Sequence, residues 1–377
     1  MINFNLSSLE GKEIEHIVRS VMSGRIAGDQ EYSKRAEDML KSHLGATSSS
    51  VKLTTSCTHA LEIAAMLLDI KPGDEVIVPS YTFVSTASAF AMRGAEIRFA
   101  DIRMDTLNLD ESSLEGLISS KTKAIVPVHY AGVGCEMEEI CAIGERHSIA
   151  IVEDNAHGLF GKYRGKPLGT FGRMATQSFH ETKNITCGEG GAIVLNELSD
   201  VEKCEIIREK GTNRAQFFRG EVDKYGWREL GSSYVMSDVL AAFLFAQLEV
   251  FESIQTRRQA IWENYHNSLA SWAKQNDVCT PTVPVHCEQA YHMYYMLLPD
   301  LKTRTAFLSH LKAKGVHAVF HYLPLHRSEY AIRRGWAGED CPNAELASNC
   351  IVRLPFYPQL SEMEVRTVIE ACQSFSC

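Results

Sequence analysis

Short apolar runs alternate with amphipathic segments along the first two-thirds of the chain. Each run is bounded by glycine, proline or polar residues, which is typical of a strand buried on both faces. We predict strands at residues 75–79, 97–100, 124–128, 149–153, 175–179 and 191–195. The other segments have helical spacing and predict helices at 7–22, 31–44, 58–69, 86–93, 136–147 and 201–210. This alternation predicts an α/β fold with a mostly parallel sheet covered by helices.

The last third of the chain has a different pattern. Residues 237–270 are apolar in their first half and amphipathic in their second, and they predict one long helix that joins a large domain to a small one. Beyond it we predict strands at 291–298 and 316–321 and helices at 304–314, 343–351 and 362–375. Ser361 and Glu364 form a capping box for the last helix. We therefore expect a large domain at residues 1–250 and a smaller α+β domain at 251–377.

The stretch QSFHETKNITCGEGG, residues 177–191, places Lys183 in a turn between two apolar runs. Its glycines allow the backbone and a ligand to approach each other closely. A lysine held at the mouth of a sheet can form a Schiff base if its amine is neutral part of the time. For a lysine taken alone, a solvated surface position is the alternative.

A second stretch, AIVEDNAH at residues 150–157, ends an apolar run in Glu153 and Asp154. In open α/β sheets the carboxyl ends of the strands face the crevice that binds ligands. A carboxylate there can keep the pyridine nitrogen of a cofactor protonated. Glu153 is the weaker candidate, because neighbouring strand residues point to opposite faces. A helix cap and a metal ligand are the alternatives.

A third stretch, TTSCTHA at residues 54–60, precedes an apolar helical segment. Hydroxyl groups and free N–H groups at a helix start form a phosphate site, although an ordinary N-cap is the alternative. The three stretches together supply an imine-forming lysine, a partner for a pyridine nitrogen and a phosphate cradle. These are the requirements of pyridoxal 5'-phosphate (PLP).

The composition excludes several classes of function. Lysines and arginines number 38 against 47 aspartates and glutamates, a net charge of −9, so no basic excess indicates nucleic acid or an anionic membrane. The 11 cysteines include no CxxC pair, which favours reduced thiols in a cytoplasmic protein, and no metal-ligand spacing is present. The acidic, amphipathic N-terminus differs from a signal peptide, and no apolar run approaches the roughly 20 residues that span a membrane.

Seven motifs, in chain order, carry a resemblance to a known family: TSCTHAL, PSYTFVST, VPVHYAG, VEDNAHG, SFHETKNITCGEGG, REKGTNRAQFFRG and HYLPLH. They resemble the DegT/DnrJ-type sugar aminotransferases, and the similarity runs through nearly the whole chain. The resemblance implies the α/β, PLP-dependent transferase fold type I, with a mostly parallel sheet in the large domain, and a homodimer with shared active sites. It also implies transfer of the amino group of L-glutamate to C4 of a dTDP-linked 4-keto-6-deoxyhexose.

The resemblance further implies roles for residues that bind the cofactor. They are Lys183 for the covalent link, Asp154 for the pyridine nitrogen, Phe83 for stacking on the ring, His157 near the ring hydroxyl, and Ser178, Ser56, Cys57 and Thr58 for the phosphate. Taken alone, Phe83 would more often be a core residue, and a satisfied core histidine is the alternative for His157. Many family members place an asparagine from the partner subunit at the position of Val235, and we expect Ser232 or Ser233 to replace it here.

The substrate residues implied by the resemblance lie in two segments. Arg214 and Arg219 belong to a cationic segment near the dimer interface, where a diphosphate would meet positive charge. His321, Tyr322 and His326, in HYLPLH, are expected to face the site from the small domain. Structural alternatives are a solvated loop for the arginines and a strand residue for His321.

Other activities stay open at this stage. A 3-keto-sugar aminotransferase and a 4-aminotransferase of opposite stereochemistry share the fold. So does a sugar dehydratase, but the similar dehydratases have histidine in place of the lysine, and Lys183 is present. A non-catalytic PLP-binding regulator is the alternative from another class, and retention of Lys183, Asp154 and Phe83 together argues against it.

Overall fold

A seven-stranded sheet lies at the centre of the protein. The computed structural model describes residues 1–45, 49–336 and 338–376. Its strands are β1 Ser50–Thr54, β2 Glu75–Pro79, β3 Glu96–Ala100, β4 Thr122–Ile125, β5 Ala150–Asp154, β6 Lys162–Tyr163, β7 Lys166–Pro167, β8 Met174–Ser178, β9 Gly191–Leu195, β10 Cys287–Glu288, β11 Tyr295–Leu297 and β12 Ile351–Arg353. The central sheet has the order β1-β9-β8-β5-β4-β2-β3, and two small sheets have the orders β10-β6-β7 and β11-β12.

The central sheet is mostly parallel, as predicted. Strands β3, β2, β4, β5 and β8 run parallel to one another, whereas β9 runs antiparallel to both β8 and β1. Every residue of β9 is buried, and β5 and β8 are buried over nearly their whole length. Strands covered on both faces explain why their sequences are continuous apolar runs. The predicted α/β architecture with a mostly parallel sheet is therefore confirmed.

Helices cover both faces of the sheet. The α-helices are α1 Glu13–Met22, α2 Glu31–His43, α3 Cys57–Leu67, α4 Ser85–Ala91, α5 Leu114–Leu117, α6 Met137–His147, α7 Val201–Arg208, α8 Arg214–Phe218, α9 Asp238–Glu249, α10 Phe251–Gln275, α11 Leu301–Ala313, α12 Glu329–Arg334, α13 Pro342–Cys350 and α14 Glu362–Gln373. Short 3-10 helices lie at Glu111–Ser113, Tyr130–Gly132, Leu198–Asp200 and Leu325–Arg327.

One strand of the central sheet, β1, was not predicted. It pairs with β9 at the edge of the sheet, with Val51 opposite Val194. Lys52 interrupts its apolar pattern and forms an ion pair with Glu205 of α7 at 3.0 Å. An edge strand with one polar face lacks the continuous apolar run that identified the other strands.

The prediction of one helix across residues 237–270 was wrong, because two helices bent by 65° replace it. The break falls at Val250, whose backbone has φ −120° and ψ 19°. The bend lets the two parts bury their side chains in different places. Helix α9 packs beside α1 and α2, whereas α10 packs its apolar face against α14. Within the described residues, no single helix is long and apolar enough to cross a membrane, and α9 and α10 meet those criteria only as a bent pair.

The C-terminal third also differs from prediction in its strands. At residues 316–321 the structure has only isolated bridges, in which Val316 pairs with Ile2 and Val319 with Arg353. Two strands there were not predicted: the short β10, and β12, which follows directly on α13 and pairs with β11. The predicted capping box of Ser361 and Glu364 is confirmed at the start of α14. The proposed division at residues 250 and 251 stays a prediction.

Candidate active site

A cavity of about 790 Å³ opens at the carboxyl ends of β5 and β8. Its walls come from these strand ends, from the starts of α3 and α4, and from the segment around residues 320–323 together with β12. The structure brings together in this cavity most of the residues predicted from sequence: Ser56, Cys57, Thr58, Phe83, Asp154, His157, Ser178, Lys183, His321 and Tyr322. Residues more than 260 positions apart in the sequence therefore share one site.

Hydrogen bonds of Asn184 and of the Lys183 backbone hold the turn that carries Lys183. The backbone N–H of Lys183 donates to the carbonyl of His180 at 2.9 Å. Asn184 donates to the carbonyl of Ala290 at 2.5 Å, and its side-chain oxygen lies 2.8 Å from Nδ1 of His292. These contacts fix the position of the turn relative to residues 290–292, so the backbone that carries Lys183 is held in place.

The environment of Lys183 changes its acidity. Burial lowers the pKa of Lys183 to about 8, although the nearby Asp154 carboxylate acts in the opposite direction. An ordinary lysine has a pKa of about 10.4. Near neutral pH, a larger fraction of the Lys183 amine is therefore neutral than in an ordinary lysine, and the neutral amine is the form that attacks a carbonyl.

Asp154 ends β5 and is 5% exposed. The hydroxyl of Thr86 donates to its carboxylate at 2.8 Å, and the N–H of Ala156 donates at 3.2 Å. Burial raises the pKa of Asp154, while the two hydrogen bonds and the charge of Lys183 lower it. A buried carboxylate of this kind gains from a cationic ligand atom placed beside it.

The adjacent acid, Glu153, lies on the other side of the strand and does not line the cavity. Its carboxylate lies 3.0 Å from Nε2 of His129. It also accepts backbone N–H groups at 2.7 to 2.8 Å from Gly169, Phe171 and Gly172. Because its oxygens are bonded inside the protein, Glu153 has a structural role. Asp154 is the acid of this pair that lines the cavity.

Three histidine rings form one wall of the cavity. The ring of His157 stacks on that of His292, with ring centroids 4.2 Å apart. The ring of His321 is tilted by 27° from that of His157, and their centroids are 6.1 Å apart. Burial lowers the pKa of His157 well below its usual range, so its imidazole is neutral. Its Nδ1 is buried without a hydrogen-bond partner in the described residues. An unpartnered ring nitrogen in a cavity wall is suited to a polar atom of a ligand.

The start of α3 forms another part of the cavity wall. Ser56 caps this helix, because its hydroxyl accepts the N–H of His59 at 3.1 Å. The first N–H groups of the helix, including those of Cys57 and Thr58, have no partner within it. Gly191 of β9 passes so closely that a Cβ there would lie 2.4 Å from the Cys57 nitrogen. The cradle is therefore built of backbone and small hydroxyl groups, which suits a phosphate.

Phe83 lies at the mouth of the cavity and is 56% exposed. Its ring centroid is 6.1 Å from that of Tyr322 across the opening. Ser178 ends β8 on the cavity floor, and the hydroxyl of Thr58 lies 2.7 Å from that of Ser85. An aromatic side chain exposed at this position can stack on a flat ligand ring.

Three predicted residues lie outside the cavity of their own chain. Ser232 is exposed, and the side chain of Arg214 is 45% exposed. Arg219 forms ion pairs with Glu205 and Glu221 at 2.9 and 2.7 Å. The expectation that a partner subunit brings them to the site stays a prediction. Val235, at the position where many relatives have asparagine, packs against Gly28 instead.

His326, which was expected to face the site, does not line the cavity. It is fully buried, with Nδ1 2.6 Å from the hydroxyl of Ser80 and Nε2 3.1 Å from Glu345. With both ring nitrogens bonded, this histidine ties the 3-10 helix at Leu325–Arg327 to the sheet and to α13. His321, Tyr322, Leu323 and Leu325 of the motif HYLPLH line the cavity, whereas His326 is buried outside it. The sequence pattern alone does not show which of the two histidines faces the cavity.

Sequence reasoning missed several residues of the cavity. Thr86 belongs to the motif PSYTFVST and follows Phe83 by three positions, so that motif could have identified it. His292 and Arg353 come from segments without a polar motif, and no signal in the sequence marked them.

This chain is similar in sequence and structure to known proteins over nearly its whole length. An uncharacterized protein of Methanocaldococcus jannaschii is 33% identical over 367 residues, covering 96% of this chain and 94% of that protein. The structure of an aminotransferase, TlmJ from Streptoalloteichus hindustanus, has 28% identity and a TM-score of 0.90, with 99% and 98% of the two chains covered. PseC of Helicobacter pylori, an aminotransferase involved in the biosynthesis of pseudoaminic acid, has 25% identity and a TM-score of 0.87, with 98% of each chain covered.

The cofactor is PLP. A solved structure similar to this chain, from Streptococcus pneumoniae, is a PLP-form, with 26% identity, a TM-score of 0.90, and 99% and 98% of the two chains covered. The cavity fits this group, because it offers a phosphate cradle, a buried carboxylate, an unpartnered His157 nitrogen and a lysine of lowered pKa. The family model for DegT/DnrJ/EryC1/StrS aminotransferases matches residues 8–373. The chain therefore belongs to the DegT/DnrJ/EryC1/StrS aminotransferase family.

Proposed function

We propose that this protein is a sugar aminotransferase that moves the amino group of L-glutamate to C4 of a nucleotide-linked 4-keto-6-deoxyhexose. The products would be dTDP-4-amino-4,6-dideoxygalactose and 2-oxoglutarate. One observation carries the aminotransferase assignment: Lys183, with its lowered pKa, shares a cavity with buried Asp154 and the start of α3. The involvement of PseC in pseudoaminic acid biosynthesis supports a sugar substrate. The motifs FHETKN and HYLPLH support the C4 assignment by resemblance.

The roles of the chain's own residues follow from their positions. PLP, when bound, supplies an electron sink that eases proton loss from the carbon bearing the transferred amine. Lys183 is the base that would carry this proton, because it is the only lysine among the described residues that line the cavity. Asp154 would hold a proton on the pyridine nitrogen, and the start of α3 would bind the phosphate.

The cavity must accept the donor and the acceptor in turn. A volume of about 790 Å³ leaves room for a substrate beside the cofactor. His321, Tyr322 and Phe83 surround the opening and would contact the sugar. A 3-keto-sugar aminotransferase or one of opposite C4 stereochemistry is the alternative within this chemistry. A non-catalytic PLP-binding regulator is less favoured, because it does not need a lysine of lowered pKa.

The sugar product gives the direct test of the substrate. When the PLP-loaded protein is incubated with L-glutamate and dTDP-4-keto-6-deoxyglucose, we expect one product with an axial amine on C4, identified by NMR. The matched control is the Lys183→Ala variant, which should give no amino sugar. An amine on C3 or an equatorial amine on C4 would overturn the substrate assignment and leave the aminotransferase assignment in place.

The pKa of Lys183 predicts how the free protein reacts with PLP. Because that pKa is lowered to about 8, the rate of condensation should rise between pH 7 and 8 and level off near pH 9. An ordinary lysine would continue to gain reactivity up to a pH of about 10.4. The rate is measured by absorbance after mixing, with N-acetyl-lysine amide as the reference amine. A profile that follows the reference amine to pH 10 would contradict the lowered pKa.

We also propose that the protein acts as a homodimer with shared sites. Exposed apolar side chains support this, since Phe218 is 69% and Trp227 is 79% exposed near Arg214 and Arg219. Large exposed aromatic groups of this kind mark interaction surfaces. A cytoplasmic location is proposed on the composition and the free cysteines of the described chain.

A further inference from the structure

Two buried tyrosines hold His321, a residue of the cavity wall, by two different atoms. The hydroxyl of Tyr130 lies 2.9 Å from Nδ1 of the His321 ring. The hydroxyl of Tyr81 donates to the backbone carbonyl of His321 at 2.6 Å. Both tyrosines are 1% exposed, and neither lines the cavity. Any effect of these tyrosines on a ligand must therefore pass through a residue of the wall.

The backbone of Tyr130 is fixed by its own hydrogen bonds. Its N–H donates to the side-chain oxygen of Asn108 at 2.8 Å, and its carbonyl accepts the N–H of Val133 at 3.0 Å. Asn108 is held in turn, because its amide donates to the carbonyl of Val133 at 3.1 Å. The hydroxyl of Tyr130 therefore meets the ring of His321 from a backbone that is held in place.

The two nitrogens of the His321 ring share one proton. Burial lowers the pKa of His321 well below its usual range, so the imidazole is neutral. Burial raises the pKa of Tyr130 to about 12, so the phenol keeps its proton at neutral pH. The hydroxyl of Tyr130 is hydrogen-bonded to Nδ1 of His321. If Tyr130 is the donor in this bond, the proton of the histidine lies on Nε2.

The other ring nitrogen of His321, Nε2, is left for a ligand. His321 lines the cavity, and in the part of the chain that the structure describes no group is hydrogen-bonded to its Nε2. A carboxylate in such a site needs a cation beside it, which a neutral imidazole does not supply. The uncharged hydroxyl and ketone oxygens of a sugar need only a donor. The keto sugar offers such oxygens, whereas glutamate offers two carboxylates and an amine.

We propose that Tyr130 is a positioning residue for the amino acceptor, because it holds His321 with Nε2–H free to donate to an oxygen of the sugar. This inference rests on the proposed sugar aminotransferase function. Besides burial, the charge of Lys183 lowers the pKa of His321, so the ring is within electrostatic reach of the reacting amine. Without the hydroxyl of Tyr130, the ring would lose the bond that sets its orientation and the place of its proton.

The first test observes the ring itself. In the PLP-loaded protein with 15N-labelled histidine, 1H–15N NMR distinguishes a protonated ring nitrogen from an unprotonated one, and His321→Gln assigns the signals. We expect the parent to carry the proton on Nε2 and to have a hydrogen-bonded Nδ1. In Tyr130→Phe the Nδ1 signal should shift to that of a nitrogen without a hydrogen bond.

Tyr81→Phe is the matched control for this measurement, because it removes a hydroxyl that is bonded to the backbone of the same histidine. Its Nδ1 signal should stay where it is in the parent. A proton on Nδ1 in the parent, or an Nδ1 signal that Tyr130→Phe leaves unchanged, would overturn the proposal. If Tyr130→Phe does not fold, Tyr130→Met takes its place with the same expected shift.

The second test separates the two substrates. Tyr130→Phe should lower kcat/KM for the sugar nucleotide by about threefold to tenfold, the effect of losing one uncharged hydrogen bond. The reaction with glutamate alone, followed by the absorbance of the PLP-loaded protein, should stay within about twofold of the parent. Tyr294→Phe should change neither rate, because the hydroxyl of this fully buried tyrosine has no hydrogen-bond partner among the described residues and lies outside the cavity.

The outcomes distinguish this proposal from the proposed function. Equal losses with both substrates would mean general damage to the site and would reject the role of Tyr130, as would an unchanged rate with the sugar nucleotide. A parent that is inactive on the sugar nucleotide would overturn the proposed function and the ligand assigned to His321. The NMR result needs neither a sugar nor turnover, so it decides the role of Tyr130 on the ring independently.

Discussion

Replacing Lys183 by alanine should abolish amino transfer, a loss of at least about 10³-fold, because both the covalent link and the proton carrier disappear. The cavity offers no second lysine among its described residues. The fold should be retained, because the turn is held by Asn184 and by the backbone of Lys183 rather than by the amine. Borohydride reduction of the PLP-loaded parent, followed by peptide mapping, should label Lys183. Lys203→Ala, which changes a lysine near the carbonyl of Leu67, should keep full activity. Label on another lysine would reject the assignment.

The same variant tests whether subunits share their sites. Arg219 lies outside the cavity of its own chain, so any role at the site must be at that of a partner. If Arg219→Ala is inactive, mixing it with Lys183→Ala should restore part of the activity through hybrid dimers. Full activity of Arg219→Ala alone would remove Arg219 from the substrate site. Absence of recovery, despite proven exchange of subunits, would argue for self-contained sites.

The parts of the fold that could be predicted are those where one local rule dominates. Strands buried on both faces, such as β2 and β9, have continuous apolar runs, and their predicted bounds match the structure. The edge strand β1 and the bend at Val250 depend on which neighbours each segment meets. A periodic pattern records burial along a segment, but it does not record whether one partner or two provide that burial.

In the site, too, some residues could be predicted from local motifs and others could not. The lysine turn, the acid after β5 and the helix start could be found because each is a short motif with its own chemistry. His326 and His321 occur in one motif, yet one is bonded to Ser80 and Glu345 while the other lines the cavity. Arg353 is a further case, since it joins the cavity wall only after distant segments have packed together. Such features arise from tertiary contacts and have no local pattern.

The Asp154→Asn variant should keep its fold and lose turnover by about 10²-fold or more, because an amide cannot hold a proton on the pyridine nitrogen. The N–H of Ala156 can still donate to the amide oxygen, and the hydroxyl of Thr86, which bonds to the other carboxylate oxygen, can accept from the amide NH2 instead. The variant should therefore bind PLP through Lys183 and show the loss in the rate of amino transfer. A near-parental rate would reject the role of Asp154.

Glu153→Gln provides the matched comparison, because the two acids are neighbours with opposite surroundings. Glu153 accepts three backbone N–H groups and faces His129, so its loss should lower the free energy of unfolding.

Burial raises the pKa of Asp154, so the folded protein free of PLP holds its proton more tightly than the unfolded chain does. Asp154 then costs stability once the pH rises through that raised pKa, and the cost is absent below the unfolded pKa of about 3.9. Without PLP, Asp154→Asn should thus be at least as stable as the parent at pH 7, with any advantage lost near pH 4, as denaturant unfolding at the two pH values would show. A parent that is much more stable than Asp154→Asn at pH 7 would mean that Asp154, like Glu153, serves the fold rather than the cofactor.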